Sequence, residues 1–409
     1  MGRATWAVDN LPMNLPTARP AKTPPAPLRW DVFCQVIDNF GDAGVCWRLC
    51  AALAARGQQV RLWIDDGAPL DWMAPGARLG QWPGIEVLPW AQAANPAFLA
   101  TCPPGDVWIE AFGCELPPVW LQWHAAQARL QAQPPAWINL EYLSAEPFAL
   151  RSHGLPSPVL SGPALGWTKH FFYPGFAPAS GGLLRSGAAS VNSARADGDP
   201  ALRVFAPELA GQRSVLLFSY PTAPLAALVR ALRSQDQPVQ LLVAAGAGQQ
   251  TLAQAAGISL EDALRQGSAI TLGALQIRFL PFLAQTQFDA LLSLCELNLV
   301  RGEDSLAQAV QAGRPSVWQI YPQDDGAHHA KLQAYLDATG ASAAERAWQA
   351  FWNQGAQNTW PQGLHWPWEA DSDWAPRARK YAQTLISQDD LCTRLLGFVH
   401  GLGRTAAQT

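Results

Sequence analysis

The stretch VIDNFGDAGVCWRL (36–49) sets two carboxylates, Asp38 and Asp42, four residues apart in a loop that also carries glycines. A loop between an apolar run and a helical pattern often cradles phosphate with backbone N–H groups and a helix dipole, and two carboxylates would repel that anion. Gly41 and Gly44 give only G-x-x-G, so the dinucleotide fingerprint G-x-G-x-x-G is excluded. An Asp pair suits acid–base work or the capture of a cation. Plainer roles compete at both positions: Asp42 as a helix N-cap and Asp38 as a turn residue bonded to its own backbone.

A second group lies in LVRGEDSLAQAVQAGRPSVWQIYPQ (299–323), where a strand pattern ends at Arg301-Gly302 and a helix begins near Ser305. Ser305 and the first helical amides can hold a phosphate beside Arg301, and Glu303 can accept from sugar hydroxyls. A capped helix with surface charges is the alternative there. A third group is FLPFLAQTQFD (279–289), in which Phe282 ends a strand and can stack on a flat base while Gln285 reads its edge. A core Phe is the ordinary alternative. His328 and His329 open a helix, but no third ligand sits at metal spacing, so no metal site is expected. Neither a P-loop nor G-x-S-x-G occurs.

The elements that position these residues read as two α/β halves. WDVFCQVI (30–37) and VRLWIDD (60–66) are strands flanking a helix over 43–56, with Gly57 as its C-cap: a βαβ unit and hence a parallel sheet. GDVWIEAF (105–112) and AWINLEYL (136–143) continue the sheet, with a helix over 118–133 between them. A second rhythm starts at RSVLLFSY (213–220), followed by a helix over 224–235 and strands at 239–246, 277–282, 297–302 and 315–322. Ligands of open parallel sheets bind beyond the carboxyl ends of the strands, so two facing sheets predict a shared cleft. The expected layout is a disordered extension at 1–29, a first domain at 30–182, a linker at 183–205, a second domain at 206–374, and a C-terminal helix (375–402) returning to the first domain. The small polar segment 186–201 reads as an insertion.

Bulk properties narrow the class. The 409 residues are 49% hydrophobic, enough for two cores, and their net charge is -4. Only four residues are Lys and no basic run occurs, which argues against nucleic-acid or membrane-surface partners. Seven scattered Cys, no secretory h-region at the start and no membrane-length apolar run predict a cytoplasmic protein with reduced thiols. The 19 Trp residues are expected mainly in cores, with a gripping surface for a protein partner as the alternative.

Taken together, WDVFCQVIDNFGDAGVCWRL, INLEYLSAEPF, HGLPSP, FYPGF and LVRGEDS…IYPQ resemble the EarP family, bacterial protein-arginine rhamnosyltransferases that modify elongation factor P and so relieve polyproline stalling. The resemblance runs from Trp30 to the C-terminal helix. It implies a GT-B architecture and inverting transfer of L-rhamnose from TDP-β-L-rhamnose to one arginine of elongation factor P, with no other cofactor. It also implies Asp42 as general base or guanidinium activator and Asp38 as a second essential carboxylate. Phe282 and Gln285 would then face thymine and Glu303 the ribose, with Tyr220, Arg301, Asp304 and Ser305 around the diphosphate and sugar. Pro221 and Thr222 depart from the family's acidic residue and Asn, and Gln308 and Gln311 from its Arg and large aromatic. The competing readings are a GT-B nucleotide-sugar enzyme with another acceptor, and a non-catalytic binder of the translation factor.

Overall fold

Why RWDVFC becomes a central strand is visible in its two faces. Trp30, Val32 and Cys34 enter one core, Phe33 enters another, and every residue after Arg29 is buried, as a parallel strand covered on both sides requires. The computed structural model describes residues 26–37, 40–130, 134–185, 212–356 and 359–406. Asp31 is the exception to the apolar pattern and is fully satisfied. Its carboxylate accepts from Arg61 Nη2 at 2.7 Å, Trp63 Nε1 at 2.9 Å and the Gly105 amide at 2.8 Å.

The first sheet has strands β1 (Arg29–Cys34), β2 (Gln59–Ile64), β3 (Ile85–Pro89), β4 (Val107–Ala111), β5 (Ala136–Leu140), β6 (Pro156–Pro158) and β7 (Thr168–Phe172), in the order β3-β2-β1-β4-β5-β7-β6. Only β6 runs antiparallel among these pairings. The second sheet has β8 (Arg213–Leu217), β9 (Val239–Val243), β10 (Ile270–Leu272), β11 (Leu275–Phe279), β12 (Leu297–Arg301) and β13 (Ser316–Gln319), in the order β10-β11-β9-β8-β12-β13. Each sheet therefore contains the doubly wound 3-2-1-4-5 arrangement. Its switch points fall between β1 and β4 and between β8 and β12, where ligand crevices open.

The tryptophans are mostly core. Trp63, Trp108, Trp120 and Trp137 pack around Phe33 in the first half. In the second, Trp348, Trp352, Trp366 and Trp374 are buried, and Trp360, Trp366 and Trp368 stack in a row at 4.6 and 4.8 Å. The Trp-rich connector is thus a lid on the second core.

Several expected elements shift. The strand expected at 277–282 is Leu275–Phe279, because Pro281 has no N–H to continue the ladder, and Phe282 lies in the following loop. The strand expected to 322 stops at Gln319, before Pro322. β3 has only five residues and was not legible as a strand. The single C-terminal helix is two, Trp374–Ile386 and Leu391–Ala406. Asp390 interrupts the pattern by accepting from the Thr393 amide at 2.7 Å, the geometry of a cap rather than a helix interior. Leu391, Cys392, Leu395 and Val399 pack in the first core. The segment 186–201 and the extension before Ala26 lie outside the described residues. Among the described residues, no helix is long and apolar enough to cross a membrane.

Candidate active site in the cleft between the halves

The carboxyl ends of β1 and β12 face each other across a cavity of about 110 Å³, open to solvent at its mouth. The first half lines it with Phe40, Gly44, Arg48 and Trp72. The second half contributes all seven residues singled out there from sequence: Tyr220, Phe282, Gln285, Arg301, Glu303, Asp304 and Ser305.

Beyond β1 the chain runs through Ile37, and the helix Gly41–Ala54 begins. Phe40 occupies the N-cap position and caps with no side chain, so the capping role considered for Asp42 does not apply. Asp42 sits instead in the first turn, buried, and its Oδ2 accepts from the Ile37 amide at 2.8 Å. The bond ties the acidic loop to the helix start, where the helix dipole favours an ionised carboxylate. Asp38 lies outside the described residues.

Opposite it, Gly302 turns the chain with φ 66°, a conformation suited to glycine, and caps the helix Glu303–Gln311. The helix thus starts two residues before Ser305, so Glu303 and Asp304 belong to its first turn. Ser305 Oγ donates to the Arg301 carbonyl. The Arg301 guanidinium lies over the rings of Phe218 and Tyr220, 4.5 and 4.6 Å from their centroids. Tyr220 is held by its amide, which donates to Gln319 Oε1 at 2.7 Å, and Gln319 donates onward to Thr222 Oγ1. Thr222, a departure from the family pattern, therefore fastens this loop.

Glu303 reaches across the cleft. Its carboxylate accepts from the Leu143 amide at 2.7 Å, within the INLEYLSAEPF stretch, and from Lys331 Nζ. Burial pushes the Glu303 carboxyl up, Lys331 and the Leu143 amide pull it back, and the nearby Asp42 charge adds to the upward push. The net direction is up. Gln285 opens the helix Gln285–Leu294, and its Nε2 donates to the Gly44 carbonyl at 2.8 Å. A Cβ on Gly44 would stand 3.2 Å from that nitrogen, so glycine permits this approach of the halves. Phe282, half-exposed, stacks on Trp72 at 4.6 Å and meets Phe40 edge-on at 5.9 Å, closing an aromatic trio at the mouth.

Sequence reasoning missed four participants. Arg48 is buried and paired with both Asp289 and Asp304. Lys331 is paired with Glu303, and Trp72 faces Phe282. Arg48 and Asp289 lay within quoted motifs but 241 residues apart, and only folding pairs them. The scarcity of Lys was the available signal for Lys331. The His328 and His329 rings lie 4.0 Å apart, tilted at 38°, outside the cavity lining. Among the described residues, no three His, Cys, Asp or Glu gather to hold a metal. Gln308 and Gln311 both donate to the Leu184 carbonyl, stitching the halves together behind the cleft.

Residues 30–400 match the family described as Elongation-Factor P (EF-P) rhamnosyltransferase EarP. A protein-arginine rhamnosyltransferase of Pseudomonas putida is 40% identical over 394 residues, covering 90% of this chain and 98% of that one. Its counterpart in Pseudomonas aeruginosa is 38% identical over 390 residues, with the same coverage of 90% and 98%. A solved structure described as the structural basis for EarP-mediated arginine glycosylation of translation elongation factor EF-P superposes with a TM-score of 0.56 at 30% identity, covering 91% of this chain and 99% of that one. The two facing doubly wound sheets are the GT-B glycosyltransferase architecture.

Proposed function

The chain belongs to the EarP family of elongation factor P rhamnosyltransferases, and from that premise we propose how its cleft divides the work. The protein transfers rhamnose to an arginine side chain of elongation factor P. The donor is TDP-β-L-rhamnose, held by the second half (206–374), and elongation factor P docks on the first (30–182). What supports this reading is the convergence of the seven second-half residues on one cavity whose opposite wall is lined by Gly41, Gly44 and Arg48 of the helix that also carries the buried Asp42.

The acceptor explains the acidic loop. Arginine has a pKa above about 12 and arrives as a guanidinium, a cation and a poor nucleophile. Asp42, with Asp38 as a second carboxylate, holds it through charge-assisted hydrogen bonds and takes the N–H proton as attack proceeds. The guanidine nitrogen forms a bond to the anomeric carbon while the bond from that carbon to the diphosphate oxygen breaks. One displacement from the opposite face inverts the centre. The electron pair leaves on TDP, where Arg301 and the first-turn amides of the helix Glu303–Gln311 stabilise the developing charge. Those amides have no partners within the helix. Phe282 stacks on thymine, Gln285 contacts its edge, and Glu303 accepts from the ribose.

Several of these side chains are engaged across the cleft: Gln285 with Gly44, Glu303 with Leu143, Phe282 with Trp72. Donor binding in this account exchanges those contacts for contacts to the nucleotide sugar. Calorimetric titration with TDP tests the donor side. Wild-type protein should bind it, and failure to bind it would remove the nucleotide assignment.

A further inference from the structure

Arg48 carries a guanidinium from the first half into the second. It projects from the helix Gly41–Ala54, is 5% exposed, and meets two carboxylates fork to fork. Its Nη1 and Nη2 donate to Asp289 at 2.7 and 3.2 Å. Its Nε and Nη2 donate to Asp304 at 2.9 and 3.0 Å. Burial alone would push the guanidinium down, but Asp289 and Asp304 together outweigh it and hold it above its ordinary value. The cation is therefore permanent.

Position gives this pair of bridges its meaning. Asp289 follows Gln285 by one helical turn, and Asp304 adjoins Glu303. Arg48, Asp304, Arg301 and Ser305 line the same cavity. A diphosphate held by Arg301 would stand beside Asp304, and an uncompensated carboxylate there would repel it, strongly so in a partly buried cleft. Two half-buried carboxylates on neighbouring helices of the second half, left without a cation, would also repel each other.

We propose that Arg48 is a positioning residue for the donor site. By gripping Asp289 and Asp304 at once, it holds the two cleft walls in register and offsets part of the negative charge that a nucleotide diphosphate would meet. The proposal rests on the nucleotide-sugar reading above. It also separates two guanidinium sites in one cleft: Arg48 fills the Asp289–Asp304 site, which leaves the acidic loop to the acceptor arginine.

The test uses the full chain, TDP titrations and intact-mass assays of elongation factor P. Arg48→Ala should weaken TDP binding by about tenfold or more, the scale of one lost charge-assisted contact. Added salt should partly restore TDP affinity to this variant, because it screens the exposed carboxylates, whereas wild-type affinity should fall with salt. Millimolar guanidinium chloride should restore transfer by filling the vacated fork, and urea, its neutral analogue, should not. A merely structural Arg48 would show neither the salt reversal nor the selective rescue. TDP affinity within twofold of wild type, or equal failure of guanidinium and urea to restore transfer, would overturn the proposal. Should Arg48→Ala not fold, Asp289→Asn decides the matter with the opposite sign. It leaves Arg48 and Asp304 as a balanced pair and should bind TDP as tightly as wild type or a few-fold tighter at low salt, and weaker binding would overturn the charge-offset role. Wild-type protein that binds no TDP would instead overturn the donor reading itself.

Discussion

Phe282 offers the most quantitative test of the donor site. Its ring is 49% exposed, lies in the loop after β11, and stacks on Trp72 with centroids 4.6 Å apart and planes 30° apart. Stacking a base on an aromatic side chain is worth about 1–3 kcal/mol by alanine substitution. An aromatic pair such as Phe282–Trp72 is worth about 0.5–1.5 kcal/mol beyond its burial. If the thymine takes the face that Trp72 now covers, binding exchanges one stack for the other. Phe282→Ala then costs the difference, about 1–2 kcal/mol, or roughly 5- to 30-fold in the Kd for TDP. The same arithmetic predicts that Trp72→Ala tightens TDP binding by up to about tenfold, because the competitor for the Phe282 face is gone. Calorimetry with TDP, in the absence of elongation factor P, reads both numbers without turnover. Unchanged affinity in Phe282→Ala would refute the stacking role. Weaker binding in Trp72→Ala would refute the exchange and indicate that both rings sandwich the base.

Three further outcomes follow from the same structure. Gly44→Ala crowds Gln285 Nε2 at 3.2 Å but improves a helix interior by about 1 kcal/mol, so Tm should hold or rise while transfer falls several-fold; a variant unchanged in both would remove Gly44 from the closure contact. Asp31→Ala strands Arg61 in the first core and should cost about 3–5 kcal/mol in denaturant unfolding, with a loss under 1 kcal/mol contradicting the pair's role. His124 is buried against Trp120, and burial first, then Arg61, lowers its pKa to about 3. A base depressed in the folded state contributes stability above its unfolded pKa of about 6.5 and loses it as pH falls toward 3, about 2 kcal/mol by pH 5. His124→Phe should flatten the stability profile over that window, and an unchanged slope would refute the assignment.

The repeated α/β rhythm was legible because parallel strands buried on both faces read as mostly apolar runs, as in VQLLV, where only Gln240 is polar. Strand ends were less so. Prolines at 281 and 322 cut the ladder inside apolar runs that looked continuous, and a cap at Asp390 split a helical period that otherwise persists. The seven second-half residues singled out from sequence follow the carboxyl ends of three strands, β8, β11 and β12, and the structure brings them to one cavity. What escaped were contacts that exist only after the halves meet. Nothing local marks Arg48 as a partner of Asp289 and Asp304, Leu143 as a donor to Glu303, or Trp72 as a stacking partner of Phe282. For Asp42 the helix start removes the N-cap reading alone: the residue lies in the first turn, with its carboxylate bonded back to the Ile37 amide.

The account turns on Asp42 as the group that receives the guanidinium proton. The measurement that tests it most directly is the intact mass of elongation factor P after incubation with TDP-β-L-rhamnose and either wild-type protein or Asp42→Asn. Wild type should add one deoxyhexose, lost when the acceptor arginine is replaced by Lys. Asp42→Asn should add none while binding TDP within a few-fold of wild type, since the proposal assigns Asp42 to the acceptor and Asp42 is not among the cavity-lining residues. Transfer by Asp42→Asn at the wild-type rate would contradict the mechanism.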